Sequence, residues 1–112
     1  MQSYQPAKLL RLLLTEKDRY QGQPLYEAVV QKCRDMKIAG ATVFQGLEGY
    51  SDTAEIQRPH VLTHDLPILI QVVDTEENIR RLVPVVEEMM DKGLIAISDV
   101  SMTRVQKGAE SA

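Results

Sequence analysis

The sequence predicts one α+β domain in which two β-α-β units form a four-stranded antiparallel sheet, with both helices on one face, as in the ferredoxin-like sandwich. Two observations support this prediction. Each half of the chain runs strand, helix, glycine, strand, and a length of 112 residues suits a single domain. Right-handed crossovers place both helices on the same side of the sheet. We expect residues 7–105 to form the domain, with flexible tails at residues 1–6 and 106–112.

The first unit begins with residues 7–15, which we interpret as a strand. Apolar residues at helical spacing follow Pro24. Proline suits the first turn of a helix because N–H groups there have no partner within the helix, and proline has no N–H. Gly40 lies just beyond the last periodic residue and is predicted to end the helix. Residues 41–46, rich in β-branched and aromatic side chains, predict the second strand. Cys33 lies on the apolar stripe, which favours a buried thiol over a nucleophile.

The second unit contains the strongest strand signal in the chain, residues 66–74 (LPILIQVVD). Thr75 is the predicted N-cap of the following helix. Pro84, inside that helix, predicts a kink because proline removes one backbone hydrogen bond. Gly93 is predicted to end the helix, and residues 94–102 form the last strand. The expected buried face of the helix comprises Ile79, Leu82, Val83, Val86, Met89 and Met90.

One face of the predicted sheet has no helix to cover it. Strand alternation places apolar side chains there, among them Leu69 and Val73 of the third strand and Leu9 and Leu13 of the first. Pro67, Gln71 and Arg11 share this face. A monomer rarely exposes such a patch, so we expect an oligomer that buries it.

Composition narrows the class of protein. Charged residues make up 26% of the chain and the net charge is −3, which indicates a globular protein and argues against binding to nucleic acid. Phe44 is the only phenylalanine, so a strand platform for stacking bases is not predicted. A single cysteine favours a reducing cytoplasm, and no apolar run approaches the roughly 18 residues of a membrane span.

The connection over residues 46–64 (GLEGYSDTAEIQRPHVLTH) is long for neighbouring strands. It is either an extended hairpin or a loop that contacts a ligand or partner. His60 and His64, beside Asp65, form a weak candidate metal site, with solvated histidines as the alternative. The charged segment over residues 16–20 is interpreted as a solvated turn rather than an acid–base pair. No catalytic motif occurs, and we predict that the protein is not an enzyme.

Three segments carry a family resemblance. GATVFQGLEGYS (residues 40–51) and DLPILIQVVDTEENIRRLVPVVEEMMDKG (residues 65–93) resemble the PII-like proteins long catalogued as a domain of unknown function, of the DUF190 type. The opening LLRLLLTEKDRYQGQPLYEAVVQKCRDMKIAGA looks like the first half of the same family. The likeness covers residues 8–105. More distantly, the layout is similar to nitrogen-regulatory PII signal proteins and to divalent-cation-tolerance trimers.

The resemblance implies a homotrimer with its sheets facing the threefold axis, and it implies that residues 46–64 match the T-loop with which PII proteins dock on transporters and enzymes. In PII proteins, adenine nucleotides bind in clefts between subunits. The positions that match those clefts are Gly46, Glu48, Gly49 and Tyr50 at the loop base and Arg104 after the last strand. Lys92 and the Gly93 amide, before the last strand, can also contact an anion. The chain departs from PII proteins where their glycine-rich phosphate loop lies, because here that connection is only DKGL. Tyr50 lies at the loop base, so no tyrosine matches the one that PII proteins modify.

Three hypotheses follow. The leading one is a trimeric regulator that binds a small anionic metabolite, such as an adenine nucleotide, between subunits and signals through residues 46–64 to a partner such as a membrane transporter. The second is a divalent-metal-binding or metal-tolerance trimer that uses His60 and His64, which stoichiometric metal in the purified protein would favour. The third is a small ferredoxin-like enzyme with a substrate cleft under the loop, which turnover of a metabolite would favour.

Overall fold

The computed structural model describes residues 3–47, 49–51, 54–57 and 65–107. Within these residues the chain forms eight strands and two helices. In chain order they are β1 (Gln5–Thr15), β2 (Arg19–Tyr20), β3 (Gln23–Pro24), α1 (Leu25–Asp35), β4 (Thr42–Gln45), β5 (Gly49–Ser51), β6 (Ala54–Gln57), β7 (Pro67–Asp74), α2 (Glu76–Met89) and β8 (Leu94–Met102).

The main sheet has four antiparallel strands in the order β4-β7-β1-β8. α1 connects β1 to β4, and β7 lies between these two strands in the sheet. α2 connects β7 to β8, and β1 lies between those two strands. This interleaving of two β-α-β units is the ferredoxin-like arrangement, so the predicted fold class is confirmed. The short pairs β2-β3 and β5-β6 form separate two-stranded sheets.

Alternation along β1 and β7 builds the core between the sheet and the helices. Leu10, Leu12, Ile70 and Val72 are each at most 1% exposed, and both helices contribute apolar residues against them. Burying a side chain of this size stabilises the fold by about 1.5–3 kcal/mol. The helical contribution to this core comprises Leu25, Ala28, Val29, Cys33, Ile79, Leu82, Val86 and Met89. The predicted buried thiol is confirmed, and desolvation raises the pKa of Cys33 to about 11.

The end of α1 differs from the prediction that Gly40 stops it. The helix ends at Asp35, and Lys37 takes the left-handed conformation with φ of +61°. The Ile38 N–H donates to the Cys33 carbonyl at 2.9 Å and the Lys37 N–H donates to the Arg34 carbonyl at 3.1 Å. These two bonds satisfy the last carbonyl groups of the helix, so a lysine occupies the position that glycine usually takes.

α2 begins where the sequence predicts it. The Thr75 hydroxyl accepts a hydrogen bond from the Asn78 N–H at 3.2 Å, which confirms the predicted N-cap. The helix continues through Pro84, which lies on its exposed side, and the kink predicted there stays a prediction. Met90 is the C-cap rather than a helical residue, and it is half-buried against the core.

The amino-terminal boundary of the domain shifts relative to the prediction. Gln5 and Pro6, predicted to belong to a flexible tail, extend β1 by pairing with Met102 and Ser101 of β8. The prediction is wrong at these two residues because the long β8 offers their backbone a partner. Residues 1–2 and 108–112 of the predicted tails lie outside the described residues.

The described part of the 46–64 connection is a short hairpin. Gly49 pairs with Gln57 and Ser51 pairs with Ala54, with an irregularity between the two pairs. This agrees with the extended-hairpin alternative at these residues, although the hairpin forms a sheet of its own rather than a continuation of β4 and β7. Across the residues that the structure describes, neither helix combines the length and apolar character that a bilayer crossing requires.

Candidate functional site

The face of the main sheet opposite the helices carries an apolar row that crosses all four strands. The register pairs Phe44 with Leu69, Leu69 with Leu13, and Leu13 with Leu94. Phe44, Leu13 and Leu94 are 47%, 42% and 55% exposed. None of the elements that the structure describes covers this row, which confirms the predicted open apolar face.

The open face becomes polar toward its middle. The next row on this face pairs Thr42 with Gln71, Gln71 with Arg11, and Arg11 with Ala96. Beyond it, Val73 lies beside Leu9. The apolar row therefore lies near one end of the sheet, where β1 ends, and the polar row separates it from the other end, where β1 begins.

A cleft of about 680 Å³ opens at the end of the sheet where β1 begins. Four segments meet there: the start of β1, the α1–β4 connection, the open face of β4 and β7, and the residues after β8. Its lining comprises Tyr4, Gln5, Ala39, Gly40, Thr42, Gln71, Val73, Ser101, Met102, Thr103 and Arg104. The volume lies within the range of small-molecule sites. Of the described residues that line the cleft, Arg104 is the one cation, so the cleft is suited to an anionic group.

Asp74 lies directly behind this cleft, at the end of β7. Its carboxylate accepts hydrogen bonds from the Ala39 N–H at 2.8 Å, the Thr75 N–H at 2.7 Å and the Asn78 side-chain amide at 3.1 Å. Burial alone would raise the pKa of Asp74, but these three donors and the charge of Arg104 together hold its pKa below the ordinary value. Asp74 is therefore a stable buried anion that ties the α1–β4 connection to the start of α2.

Gly46 and Gly93, two other predicted site residues, lie at the opposite end of the sheet, and packing explains both. A Cβ on Gly46 would lie 2.7 Å from the Pro67 side chain. Gly93 has φ of +125°, and a Cβ there would lie 2.5 Å from the Leu13 carbonyl oxygen. Both glycines thus let the chain pass close to the main sheet, where a larger residue would not fit.

Lys92 reaches a turn formed by Glu16, Lys17 and Asp18, here called the 16–18 turn. The Lys92 ammonium lies 3.9 Å from the Asp18 carboxylate, and that carboxylate accepts from the Thr15 N–H at 2.8 Å. The side chain of Asp18 is 13% exposed. The turn is thus less solvated than the sequence predicts, because its acidic groups accept hydrogen bonds within the fold.

The 16–18 turn also holds both ends of the 46–64 connection. Before the connection, the Gln45 side-chain amide donates to Glu16 at 2.6 Å. After it, the Glu16 N–H donates to the Leu66 carbonyl at 2.9 Å and the Lys17 N–H donates to Asp65 at 3.2 Å. One turn thus contacts the entry and the exit of this connection as well as Lys92.

The predicted ligand-binding residues do not meet within one protomer. Arg104 follows β8, whose Met102 pairs with Gln5, whereas Gly93 precedes Leu94, which pairs with Leu13. The separation between Gln5 and Leu13 along an extended strand is about 27 Å. Arg104 therefore lies at one end of the sheet, and Gly46, Lys92 and Gly93 lie at the other.

Other predicted site residues are described in part or not at all. Gly49 and Tyr50 belong to β5, where the structure describes their backbone. Glu48, His60 and His64 lie outside the described residues, so the metal-site prediction stays a prediction. Within residues 3–47, 49–51, 54–57 and 65–107, no three His, Cys, Asp or Glu side chains cluster in a way that could hold a metal ion.

As a site residue, sequence reasoning singled out Arg104, which lines the cleft, but none of the other residues that line it. Tyr4, Gly40 and Gln71 come from segments far apart in the chain, and only the sheet register brings them together. Asp74 did leave a signal in the sequence. It is a carboxylate that ends an apolar strand immediately before the N-cap of a helix, where free N–H groups need acceptors.

Comparison with solved structures defines the class of the molecule as the PII-like fold. CPII of Thiomonas intermedia K12, a nitrogen regulatory PII-like protein solved with ADP, AMP and bicarbonate, superposes with a TM-score of 0.68 over 93% of this chain and 94% of that chain, at 18% identity. The divalent ion tolerance protein CutA1 of Ehrlichia chaffeensis gives 0.57 over 90% and 85%, at 14% identity. At these identities the likeness establishes the fold alone.

Sequence comparison then gives the family. The model of DUF190, a family described as uncharacterized ACR, matches residues 7–102. A UPF0166 protein of Methanocaldococcus jannaschii is 38% identical over 83% of this chain and 88% of its own length. A UPF0166 protein of Aquifex aeolicus is 34% identical over 85% and 91%. The chain belongs to the DUF190 family.

Proposed function

We propose that this protein is a homotrimeric PII-like regulator that binds a small anionic ligand, with an adenine nucleotide as the first candidate, in clefts between its protomers. In this proposal, residues 46–64 transmit the bound state to a partner protein, such as a membrane transporter or another regulated protein. The observation that carries the proposal is the cleft around Arg104, which opens at one end of a sheet whose other end holds Lys92 and the base of the 46–64 connection.

The open apolar row supports the assembly. Phe44, Leu13 and Leu94 expose 47%, 42% and 55% of their surface, and burial of apolar area is the main driving force for association. A trimer that packs this face around a threefold axis removes the whole row from water. The assembly would therefore be stabilised by the surface that the helices leave uncovered.

A closed ring also brings the two halves of the site together. In a ring, each protomer offers one surface to the neighbour on one side and a different surface to the neighbour on the other side. The Arg104 end of one sheet can then face the Lys92 end of the next. Arg104 and Lys92, which lie at opposite ends of the sheet within one chain, would thus contact the same ligand.

The chemistry of the cleft supports an anion that carries a hydrogen-bonding body. Arg104 supplies a planar guanidinium that can bind a phosphate or carboxylate with two hydrogen bonds. Around it lie the hydroxyl groups of Tyr4, Thr42 and Thr103 and the amide of Gln71, which can bind the polar edges of a base or sugar. CPII, which shares the fold, was solved with ADP and AMP, so these two nucleotides are the probes of choice.

The 16–18 turn provides a route for signalling. An anion bound by Lys92 would draw its ammonium away from Asp18, to which it is held at only 3.9 Å. Since the same turn binds Gln45, Asp65 and Leu66, a change at Asp18 reaches both ends of the 46–64 connection. Ligand occupancy would thereby alter the surface that the hairpin presents to a partner.

Calorimetry of the Arg104→Ala protein with ADP tests the proposal. Loss of one charged hydrogen bond should weaken binding by roughly 1–3 kcal/mol while the oligomer stays intact. Arg34→Ala is the matched control, because Arg34 is an exposed arginine on α1 away from the cleft, and it should leave the affinity unchanged. Unchanged affinity in Arg104→Ala would place the site elsewhere, and failure of the unmodified protein to bind either ADP or AMP would reject the nucleotide.

A further inference from the structure

Asp74 is the one charged residue that is buried among the residues that the structure describes, at 4% exposure. A buried carboxylate is costly unless its oxygens are paired. Here three donors pair it, and they come from different parts of the fold: Ala39 from the α1–β4 connection, Thr75 from the cap of α2, and Asn78 from the first turn of α2. Asp74 is therefore held firmly in place.

Ala39 links this anion to the cleft. Its N–H donates to Asp74 at 2.8 Å, and Ala39, Gly40 and Thr42 all line the cleft. Ala39 and Gly40 precede β4, which begins only at Thr42, so no strand pairing holds these two residues. The hydrogen bond from Ala39 to Asp74 thus fixes a part of the cleft wall that is not held by strand or helix hydrogen bonds.

A second set of hydrogen bonds holds the α1–β4 connection nearer its start. The Asn78 side chain, which donates to Asp74, accepts from the Arg81 guanidinium at 2.8 Å. Arg81 also donates to the Met36 carbonyl at 3.1 Å, just beyond the end of α1. The residues between α1 and β4 are therefore anchored to α2 near their start through Arg81 and further along through Asp74.

We propose that Asp74 is the positioning residue of the cleft: its carboxylate fixes Ala39, and with it Gly40, in the place where they meet a ligand bound to Arg104. This inference rests on the proposed ligand-binding function and adds to it a residue that does not touch the ligand. Because the wall is fixed before the ligand arrives, binding does not have to order it, and the entropy cost of binding is reduced.

The position demands a carboxylate rather than an amide. One oxygen of Asp74 accepts from Ala39, and the other accepts from Thr75 and Asn78. Both oxygens face N–H donors, so in either orientation of its amide an asparagine would direct its NH₂ group at one of these donors. Either the bond to Ala39 or the bonds to α2 would then be lost. The negative charge that acts on Arg104 would be lost as well.

The test compares Asp74→Asn with the unmodified protein in two measurements, ADP affinity by calorimetry and amide hydrogen exchange at residues 39–42. We expect Asp74→Asn to weaken ADP binding about tenfold and to speed exchange at Ala39. Val29→Ala is the control for lost stability, because it removes buried methyl groups from α1 without touching the cleft. It should lower the melting temperature and leave the ADP affinity within about twofold of the unmodified protein.

The outcomes separate this inference from the proposed function. If the unmodified protein binds neither ADP nor AMP, the nucleotide proposal fails, and the exchange measurement still tests whether Asp74 holds Ala39. If Asp74→Asn binds ADP as tightly as the unmodified protein, the positioning role is overturned. If Asp74→Asn does not fold, amide hydrogen exchange in the unmodified protein without ligand is the deciding measurement. Slow exchange at Ala39 supports the positioning role of Asp74, and fast exchange overturns it.

Discussion

At the scale of single residues, the pKa values of two buried acidic groups are shifted in opposite directions. Cys33 is surrounded by apolar side chains, so burial raises its pKa to about 11 and the thiol stays protonated. Asp74 is as well buried, but three donors and the charge of Arg104 more than offset the effect of burial and lower its pKa. Burial raises the pKa of both groups, and the hydrogen-bond donors together with the charge of Arg104 reverse the direction of the shift for Asp74.

The lowered pKa of Asp74 predicts a loss of stability in acid. Because this pKa is lower in the folded than in the unfolded protein, the stabilisation is fully present above the unfolded value of about 4 and is lost as the pH falls through the folded value. Urea unfolding followed between about pH 2 and pH 7 measures it. Asp74→Asn should be less stable near neutral pH and should lose less stability in acid. Parallel pH profiles for the two proteins would contradict this assignment.

At the scale of elements, the sequence predicted the four strands of the main sheet and the second helix well because their signals are local. The alternation in β7 and the N-cap at Thr75 can both be recognised from a few consecutive residues, and both lie where the sequence predicts them. The end of α1 could not be predicted in this way. Lys37 adopts a conformation that favours glycine, and it does so because two backbone bonds close the helix there.

The candidate site follows the same division between local and long-range signals. Arg104 was predicted as a site residue because it follows a strand at a position that matches a known family, and this role stays a prediction. Tyr4, Gln71 and Ala39 were not found, because their meeting depends on the register of β1, β4 and β7 and on the bond from Ala39 to Asp74. Such long-range pairing leaves no periodic pattern in the chain.

Gly93 gives a prediction at this scale. Gly93→Ala should destabilise the protein by about 1–3 kcal/mol, because the new Cβ would lie 2.5 Å from the Leu13 carbonyl and φ is +125°. Gly40→Ala is the matched control, since no heavy atom lies within 4 Å of a Cβ built there. Thermal or urea unfolding of the two variants measures the difference. Equal stability would mean that β1 does not approach Gly93 as closely as described.

At the scale of the whole molecule, the two faces of one sheet have separate tasks. The face that carries Leu10, Leu12 and Ile70 builds the core, and the face that carries Phe44, Leu13 and Leu94, which the described elements leave uncovered, is the one that we propose for assembly. The cleft and the 16–18 turn lie at opposite ends of that sheet. Under the proposed function, the cleft and the Lys92 end are two halves of one site that a single protomer cannot close and that assembly closes.

Assembly through the open face predicts the effect of Leu69→Glu. Leu69 lies between Phe44 and Leu13 in the apolar row, so a carboxylate there would be buried without a partner in the trimer and exposed to water in the monomer. We expect this variant to sediment as a folded monomer, with circular dichroism checking the fold. Gln31→Glu, which adds the same charge on the exposed side of α1, should remain a trimer. A trimeric Leu69→Glu protein would show that the open face is not the interface.

Mixed assemblies test the central claim, that each ligand site is shared between two protomers. Arg104→Ala and Lys92→Ala should each weaken ADP binding when they form the whole trimer. When the two variants are co-expressed with different tags, and mixed trimers are isolated, an intact Arg104 on one protomer can face an intact Lys92 on the next. Each mixed trimer, whichever variant supplies two of its protomers, then has one interface of its three with both residues intact, so calorimetry with ADP should find unmodified affinity at about a third of the interfaces. Mixed trimers without any site of that affinity would contradict the claim.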